Sequence, residues 1–294
     1  MELYEIFHEV DEFCKVFMRW MNRNRLGIET RKSNKSQYTL SLSEIMTILI
    51  GFHLSKYRTF KDYYKRYVQV ILKPYFPRLV SYNRFVELMP AAAIVLFFFL
   101  KKQKLGKVTG ISFVDSTLLR VCHNLRINRN RVFKGKAARG KTSTGWFYGF
   151  KLHLIINDRG EIIAFDVTPG NCDDRNLAMM DKLTAGLFGK LFGDKGYISN
   201  KLTENLAAKG IQLITNVKSN MKNKLTPLMD KLLLRKRWII ETINDQLKNL
   251  CQIDHSRHRS PLNFLVNLLS GLVAYCFFPK KPSLNLGKGL YLLA

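Results

Sequence analysis

Three carboxylates set far apart carry the chemistry of this chain. Asp115 sits in Ile-Ser-Phe-Val-Asp-Ser-Thr, Asp194 in Leu-Phe-Gly-Asp-Lys-Gly-Tyr, and Glu241 in Arg-Trp-Ile-Ile-Glu-Thr-Ile-Asn. The first two end short apolar runs that read as buried strands, and the third lies on a strongly periodic helix. Lys and Arg outnumber Asp and Glu 48 to 22, a net charge of +26. That excess implies a polyanionic partner, DNA or RNA, with a membrane surface the weaker alternative. Acidic side chains at strand ends repel phosphate unless they hold cations. Phosphodiester chemistry needs a polarised attacking oxygen and a stabilised leaving oxygen, and two Mg²⁺ ions roughly 3.5–4 Å apart supply both. Such hard cations take carboxylate oxygens. A lone Asp at a strand end is ordinarily a turn residue, and a lone Glu on an amphipathic helix is ordinarily solvated. The argument rests on the three together in a basic chain.

The helix of Glu241 adds weight. Arg237, Glu241 and Lys248 fall at i−4, i and i+7 on one face, while Ile239, Ile243, Leu247 and Leu250 form a separate apolar stripe. Glu241 is thus held by a buried helix and flanked by two cations placed to contact phosphate.

The elements that must position these residues fall into two textures. Residues 1–107 read as helical and are expected to form the DNA-end-binding domain. Asp11–Met21 is amphipathic. Ser41–His53 opens with capping residues Ser41 or Ser43 and Glu44. Thr59–Leu72 is a basic, Tyr-rich helix, giving a helix-turn-helix outline, and Tyr82–Leu100 is a further helix. Residues 108–278 alternate strands and helices. Strands are expected at Gly110–Val121, Trp146–Ile156, Glu161–Thr168, Lys190–Asp194 and Ile211–Thr215. Helices are expected at Arg175–Ala185, capped by Asp173 or Asp174, at Ser199–Lys209 and at Leu225–Leu250. This order predicts an α/β layer with a partly antiparallel sheet. Residues 279–294 form a basic and apolar tail.

Here the residues resemble DDE transposases of bacterial insertion sequences, over about residues 108–255. The resemblance rests on Val-Asp-Ser-Thr at 114–117, Gly-Phe-Lys-Leu-His-Leu at 149–154 and Thr-Pro-Gly-Asn at 168–171. Gly-Asp-Lys-Gly-Tyr at 193–197 and Arg-x3-Glu-x6-Lys at 237–248 complete it. Each motif is weak alone, and the ordered set is strong. Leu234 stands where one large branch has Tyr, so a related branch is indicated. The resemblance implies a ribonuclease H-like mixed sheet flanked by helices, preceded by the helical domain. It implies Asp115, Asp194 and Glu241 as ligands of two Mg²⁺ ions, with Mn²⁺ able to substitute. It also implies nicking at element ends and attack of the freed 3′-hydroxyl on target DNA. The partners would be double-stranded terminal inverted repeats and target DNA, held by a dimer or larger synaptic complex. The expected location is the bacterial cytoplasm, with the nucleoid.

The segment after Asp115 reads as a DNA-contacting loop, ordered on binding. From Arg120 to Lys151 it carries Arg120, Arg126, Arg129, Arg131, Lys134, Lys136, Arg139, Lys141 and Lys151 with no acidic residue. Trp146 is read as packing in a strand rather than stacking on a base. Lys195, beside Asp194, joins the DNA-binding set with Arg237 and Lys248. Cys251, His255 and His258 have a zinc-like spacing without an evident fourth ligand, and His255–Arg259 reads better as a basic loop. Five scattered cysteines imply no disulfide framework and a reducing compartment. Glu2, Glu5, Glu9 and Asp11 interrupt any secretory pattern, and residues 261–278 read as a buried helix rather than a membrane span. No phosphate-binding glycine loop calls for ATP. Three other readings compete with the transposase: a purely hydrolytic metal-dependent nuclease of the same fold, a non-catalytic DNA-binding regulator using residues 41–72, and an RNA-binding protein lacking aromatic RNA motifs.

If the basic segment tracks phosphates, neutralising Arg129, Arg131 and Lys134 together should flatten the slope of log K against log salt by roughly 0.9 per lost contact. An unchanged slope in a salt titration of duplex binding would remove the segment from the interface.

Overall fold

A computed structural model describes residues 3–24, 40–142, 145–216, 227–254 and 258–284. In chain order its helices α1–α5 are Leu3–Arg23, Leu42–Leu54, Phe60–Asp62, Tyr82–Leu88 and Ala92–Phe99. Strands β1–β4 follow at Ile111–Cys122, Ala138–Thr142, Gly145–Asn157 and Ile162–Pro169. Then come α6 (Leu177–Leu183), β5 (Gly189–Gly193), α7 (Asn200–Ala207), β6 (Ile211–Thr215), α8 (Leu228–Arg235), α9 (Trp238–Asn249) and α10 (Pro261–Cys276). No helix among the described residues is long and apolar enough to cross a membrane.

By contact the chain divides into two compact units. One comprises residues 1–104, 249–253 and 258–279; the other comprises 105–248, 254–257 and 280–294. The helix α10 therefore groups with the N-terminal helices, where the sequence reading had attached it to residues 108–278. The reason is packing: α10 is apolar on most sides and lies against α2 and α5.

In the helical unit, α1 buries Ile6, Val10, Cys14, Phe17 and Met21, at spacings of three and four. The cap of α2 is the box expected from Ser41 and Glu44. Glu44 N donates to Ser41 Oγ at 3.2 Å, and Ser41 N donates to Glu44 Oε2 at 2.6 Å. The expected helix Thr59–Leu72 is replaced by the short α3 and a π turn at Tyr63–Val68. There Tyr63, Tyr64 and Val68 bury into an aromatic cluster with Phe52, Phe60 and Phe85, so packing overrides helix periodicity. The expected helix Tyr82–Leu100 breaks into α4 and α5 around Pro90, which sits in a 3₁₀ turn at Met89–Ala91. Proline lacks the amide that would continue the helix.

The second unit is built on one mixed sheet. Strand order is β2-β3-β1-β5-β6, and β4 also pairs with β3. β1 pairs antiparallel with β3 and parallel with β5. β2 and β4 share one side of the long strand β3, against residues 145–149 and 150–156 respectively. β2 lies inside the segment expected to be a loop. Its Ala-Arg-Gly-Lys-Thr sequence has little strand preference and becomes a strand by pairing with β3. On one face α6 and α7 pack through Met179, Met180, Leu183, Leu202 and Leu206 onto Val114, Ile155, Leu191 and Ile211. α6 is capped by Asn176, whose side chain accepts from Met179 N at 3.0 Å, and not by Asp173 or Asp174. The expected helix Leu225–Leu250 is two helices, α8 and α9, and its first two positions, 225 and 226, lie outside the described residues.

His53 is fully enclosed in the helical unit. Its Nδ1 faces the Cys251 carbonyl, which can only accept, so Nδ1 carries the proton, and Nε2 stands 2.9 Å from Ser270 Oγ. Burial pushes the His53 pKa down to about 4. An unfolded histidine protonates near pH 6.5. The contribution of His53 is therefore whole above about pH 6.5 and is lost as pH falls toward 4, roughly 3 kcal/mol in all. Thermal unfolding of wild type and His53→Gln between pH 7.5 and 4.5 should show a flatter pH dependence in the variant. Parallel curves would contradict the assignment.

Candidate active site

Strand register brings the two aspartates together. Ile111, Ser112 and Phe113 pair in parallel with Lys190, Leu191 and Phe192. Asp115 and Asp194 each stand two residues beyond the Phe113–Phe192 pair, whose rings stack at 5.4 Å. Alternation along the strand sends them to the side of the sheet those phenylalanines occupy. Gly193 points the other way. A Cβ there would lie 3.2 Å from the Tyr197 ring and 3.3 Å from Val114. The bare glycine lets Tyr197 close over the strand end while Asp194 turns outward. Asp194 Oδ1 accepts from Gly196 N at 2.8 Å and so caps the turn Lys195–Tyr197.

Helix α9 supplies the third carboxylate. Ile239, Ile240, Ile243 and Leu247 are fully buried, whereas Leu250, expected in the apolar stripe, lies past the helix and is 53% exposed. Arg237 Nη2 meets Glu241 Oε1 at 2.5 Å, and Arg237 Nη1 stands 3.7 Å from Asp115 Oδ1. The guanidinium therefore stands between two of the three acids. Asn244, one turn beyond Glu241, donates from Nδ2 to Asp115 Oδ2 at 2.9 Å. It occupies the i+3 position of the stripe that already contained Arg237, Glu241 and Lys248, and that spacing was the signal by which the sequence could have shown it. Lys248 is paired at 4.0 Å with Asp254, which also accepts from Arg120 N at 3.1 Å. Burial pulls the Lys248 pKa down, opposed by Asp254.

Asp115 is the electrostatic centre. Burial pushes its pKa up to about 7; Arg237 opposes that rise, while the carboxylates of Asp194 and Glu241 reinforce it. Among the described residues no three acidic, His or Cys side chains stand as a ready-made metal cage. The donor chemistry nevertheless fits a hard divalent cation: the carboxylates of Asp194 and Glu241 both act on Asp115.

A second polar group lies on the opposite side of β1 and was missed by the sequence reading. Lys151, read as one of the DNA-facing cations, is only 14% exposed; it donates to Asp174 Oδ1 at 3.0 Å and to the Cys172 carbonyl at 2.9 Å. His153, opposite Ser116 on β1, is enclosed, with Nε2 2.8 Å from Thr168 Oγ1 and Nδ1 3.8 Å from Asp174. Burial lowers its pKa. The Tyr197 hydroxyl is buried too; burial first, then Asp115, Asp174 and Asp194, raise its pKa far above the usual value. Tyr197 thus lies in the field of the aspartates on both faces.

The remaining predicted cations lie at the surface. Arg126, Arg129, Arg131, Lys134, Lys136, Arg139, Lys141 and Lys195 are all exposed. Cys251 of the zinc-like spacing is buried in the helical unit, with its thiol pKa pushed up to about 12 by burial, and His255 lies outside the described residues.

A family model described as a transposase DDE domain matches residues 105–261, a span that holds all three carboxylates. The chain belongs to the DDE transposase family. This transposase is therefore a DNA-cleaving enzyme whose chemistry depends on divalent metal. Among solved structures, the cryo-EM structure of a piggyBac transposase synaptic complex with hairpin DNA aligns with a TM-score of 0.48 and 12% identity, covering 92% of this chain and 70% of that one. No curated protein matches the chain.

The raised Asp115 pKa has a sign that can be checked in metal-free transposase. A carboxyl whose folded pKa exceeds its unfolded value stabilises the fold below about pH 4, and that contribution is lost as pH rises through 7. In EDTA, Asp115→Asn should therefore stabilise the protein at pH 8, on the order of 2 kcal/mol, and change little at pH 4. Equal effects at both pH values would remove the electrostatic account.

Proposed function

We propose that Asp115, Asp194 and Glu241 are the catalytic carboxylates and metal ligands, and that the chain cuts DNA at element ends and joins the freed 3′-hydroxyl to target DNA. The observation that carries this reading is the register of the parallel β1–β5 pair, with Asp115 inside β1 and Asp194 just past β5 each two residues beyond its last pair, and Glu241 tied to Asp115 through Arg237. When bound, two Mg²⁺ ions, or Mn²⁺ in their place, activate the attacking oxygen and stabilise the leaving one.

The chain's own side chains do the rest. Asn244 holds Asp115 in one rotamer through its amide. Arg237 neutralises Asp115 and Glu241 until cations take over that task, and is then free to meet a backbone phosphate. A guanidinium suits that role because it binds phosphate oxygens in pairs. Lys248 and Lys195 extend the positive rim. In cleavage a water oxygen replaces the 3′-oxygen on phosphorus. In joining, that 3′-oxygen attacks a target phosphodiester and displaces another 3′-oxygen. One P–O bond forms as one breaks, so joining needs no nucleotide hydrolysis, in keeping with the missing ATP loop.

The exposed cations from Arg126 to Lys141 supply duplex contacts, and the helical unit reads the terminal inverted repeats of an insertion sequence. Two ends must be held at once, so the working assembly is a dimer or larger, acting on DNA in a bacterial cytoplasm and nucleoid.

The deciding assay incubates protein with labelled element-end DNA and a target plasmid, in Mg²⁺ or in EDTA. Wild type should nick and join only with Mg²⁺. Asp115→Ala, Asp194→Ala and Glu241→Ala should each lose at least 100-fold in rate, on the order expected for a metal-binding group, while still binding the ends. Cleavage without joined product would make the chain a hydrolytic nuclease. Full activity in any one variant would remove that residue from the triad.

A further inference from the structure

At the start of β3 the sheet register builds a feature that the carboxylates do not use. Lys141 pairs directly with Trp146 across the β2–β3 ribbon, and Arg139 pairs with Tyr148, two residues along. Arg139, Lys141 and Trp146 therefore share one face, within reach of direct and diagonal cross-strand contact. The Arg139 guanidinium lies 4.8 Å and the Lys141 ammonium 5.7 Å from the indole centre. Trp146 is 50% exposed, whereas its neighbour Phe147 is 2% exposed and anchors the reverse face against Gly140 and Gly170. The Asn124 amide donates to the Trp146 carbonyl at 2.8 Å and fixes the strand from the other side. The stretch from Arg120 to Lys151 contains no acidic residue, and among the described residues neither Arg139 nor Lys141 forms an ion pair.

A seated ribbon with a half-exposed indole, and over it two cations that form no ion pair among the described residues, matches a ligand that carries a flat ring and an anion a few ångströms apart. A nucleotide carries both. The face of a base is hidden within an intact duplex stack, and only an unpaired base presents it. We propose that Trp146, with Arg139 and Lys141, is a subsite for one unpaired nucleotide of the DNA: the base stacks on the indole and the adjacent phosphate meets the cations. This rests on the DNA-transposase reading and adds to it a preference for an unpaired end over blunt duplex.

The test uses the full chain in EDTA, so that no cleavage intervenes. Two probes are compared by fluorescence anisotropy: a blunt duplex, and the same duplex with a short single-stranded overhang carrying 2-aminopurine. Wild type should bind the overhang probe more tightly and quench 2-aminopurine. Trp146→Ala should lose about tenfold on the overhang probe, the effect of removing one stacked base, and stay within about twofold on the blunt one. Trp146→Phe should restore most of the overhang affinity. Arg139→Gln with Lys141→Gln should weaken the overhang probe more than the blunt one. Blunt-duplex affinity and thermal unfolding report whether each variant is folded. Equal losses on both probes, or an overhang preference untouched by Trp146→Ala, would overturn the subsite. Wild type binding duplex with no overhang preference would overturn the subsite alone. Wild type binding neither probe would overturn the DNA reading with it.

Discussion

Like charges held close together in a half-buried place are the constraint on which the catalytic unit depends. Asp194 and Glu241 both repel a charge on Asp115, and burial of Asp115 makes that repulsion expensive. Arg237 and Asn244 offset it from one helix face, the first with charge and the second with a hydrogen bond. Both groups sit on or just before α9, whose isoleucines at 239, 240 and 243 are fully buried. The metal-free site is therefore a neutralised site.

The central placement of β1 follows from the same need. With β3 on one side and β5 on the other, β1 presents Asp115 beside Asp194 at the parallel edge and Ser116 opposite His153 at the antiparallel one. Alternation along one strand thus serves two polar groups on opposite faces. Tyr197 closes over Gly193 and stands in the field of both. In a chain of net charge +26 the acidic residues here are paired with specific partners, Arg237, Lys151 and Asn244, and are not spread over the surface.

The helical unit is organised by a different economy of contacts. The segment Ser43–His53 of α2 is buried nearly all round, which leaves it no exposed face for reading DNA. The chain leaves this unit after α5 and returns with residues 249–253 and α10 to complete it. His53 marks the join, held by Cys251 and Ser270 from the returning segment. A unit closed by both ends of a chain folds fully only once its distant C-terminal helix is made, because non-local contacts must bear loop-closure entropy first.

The sequence by itself determined the strands that bring Asp115 and Asp194 close, the helix that carries Glu241, the Ser41–Glu44 cap and the face shared by Arg237, Glu241 and Lys248. These are local signals, carried by residue type and by periods of two or 3.6. Only the tertiary structure decided the rest. β2 exists because β3 offers it an edge, and the helix expected from Thr59 became a π turn because aromatic packing outweighed propensity. Lys151, by type and place a surface cation, is turned inward to Asp174 and the Cys172 carbonyl. The Arg237 guanidinium turned inward to two acids for the same reason. A side chain's partners are chosen by what folding brings near it in space, and a linear order of residues does not contain those distances.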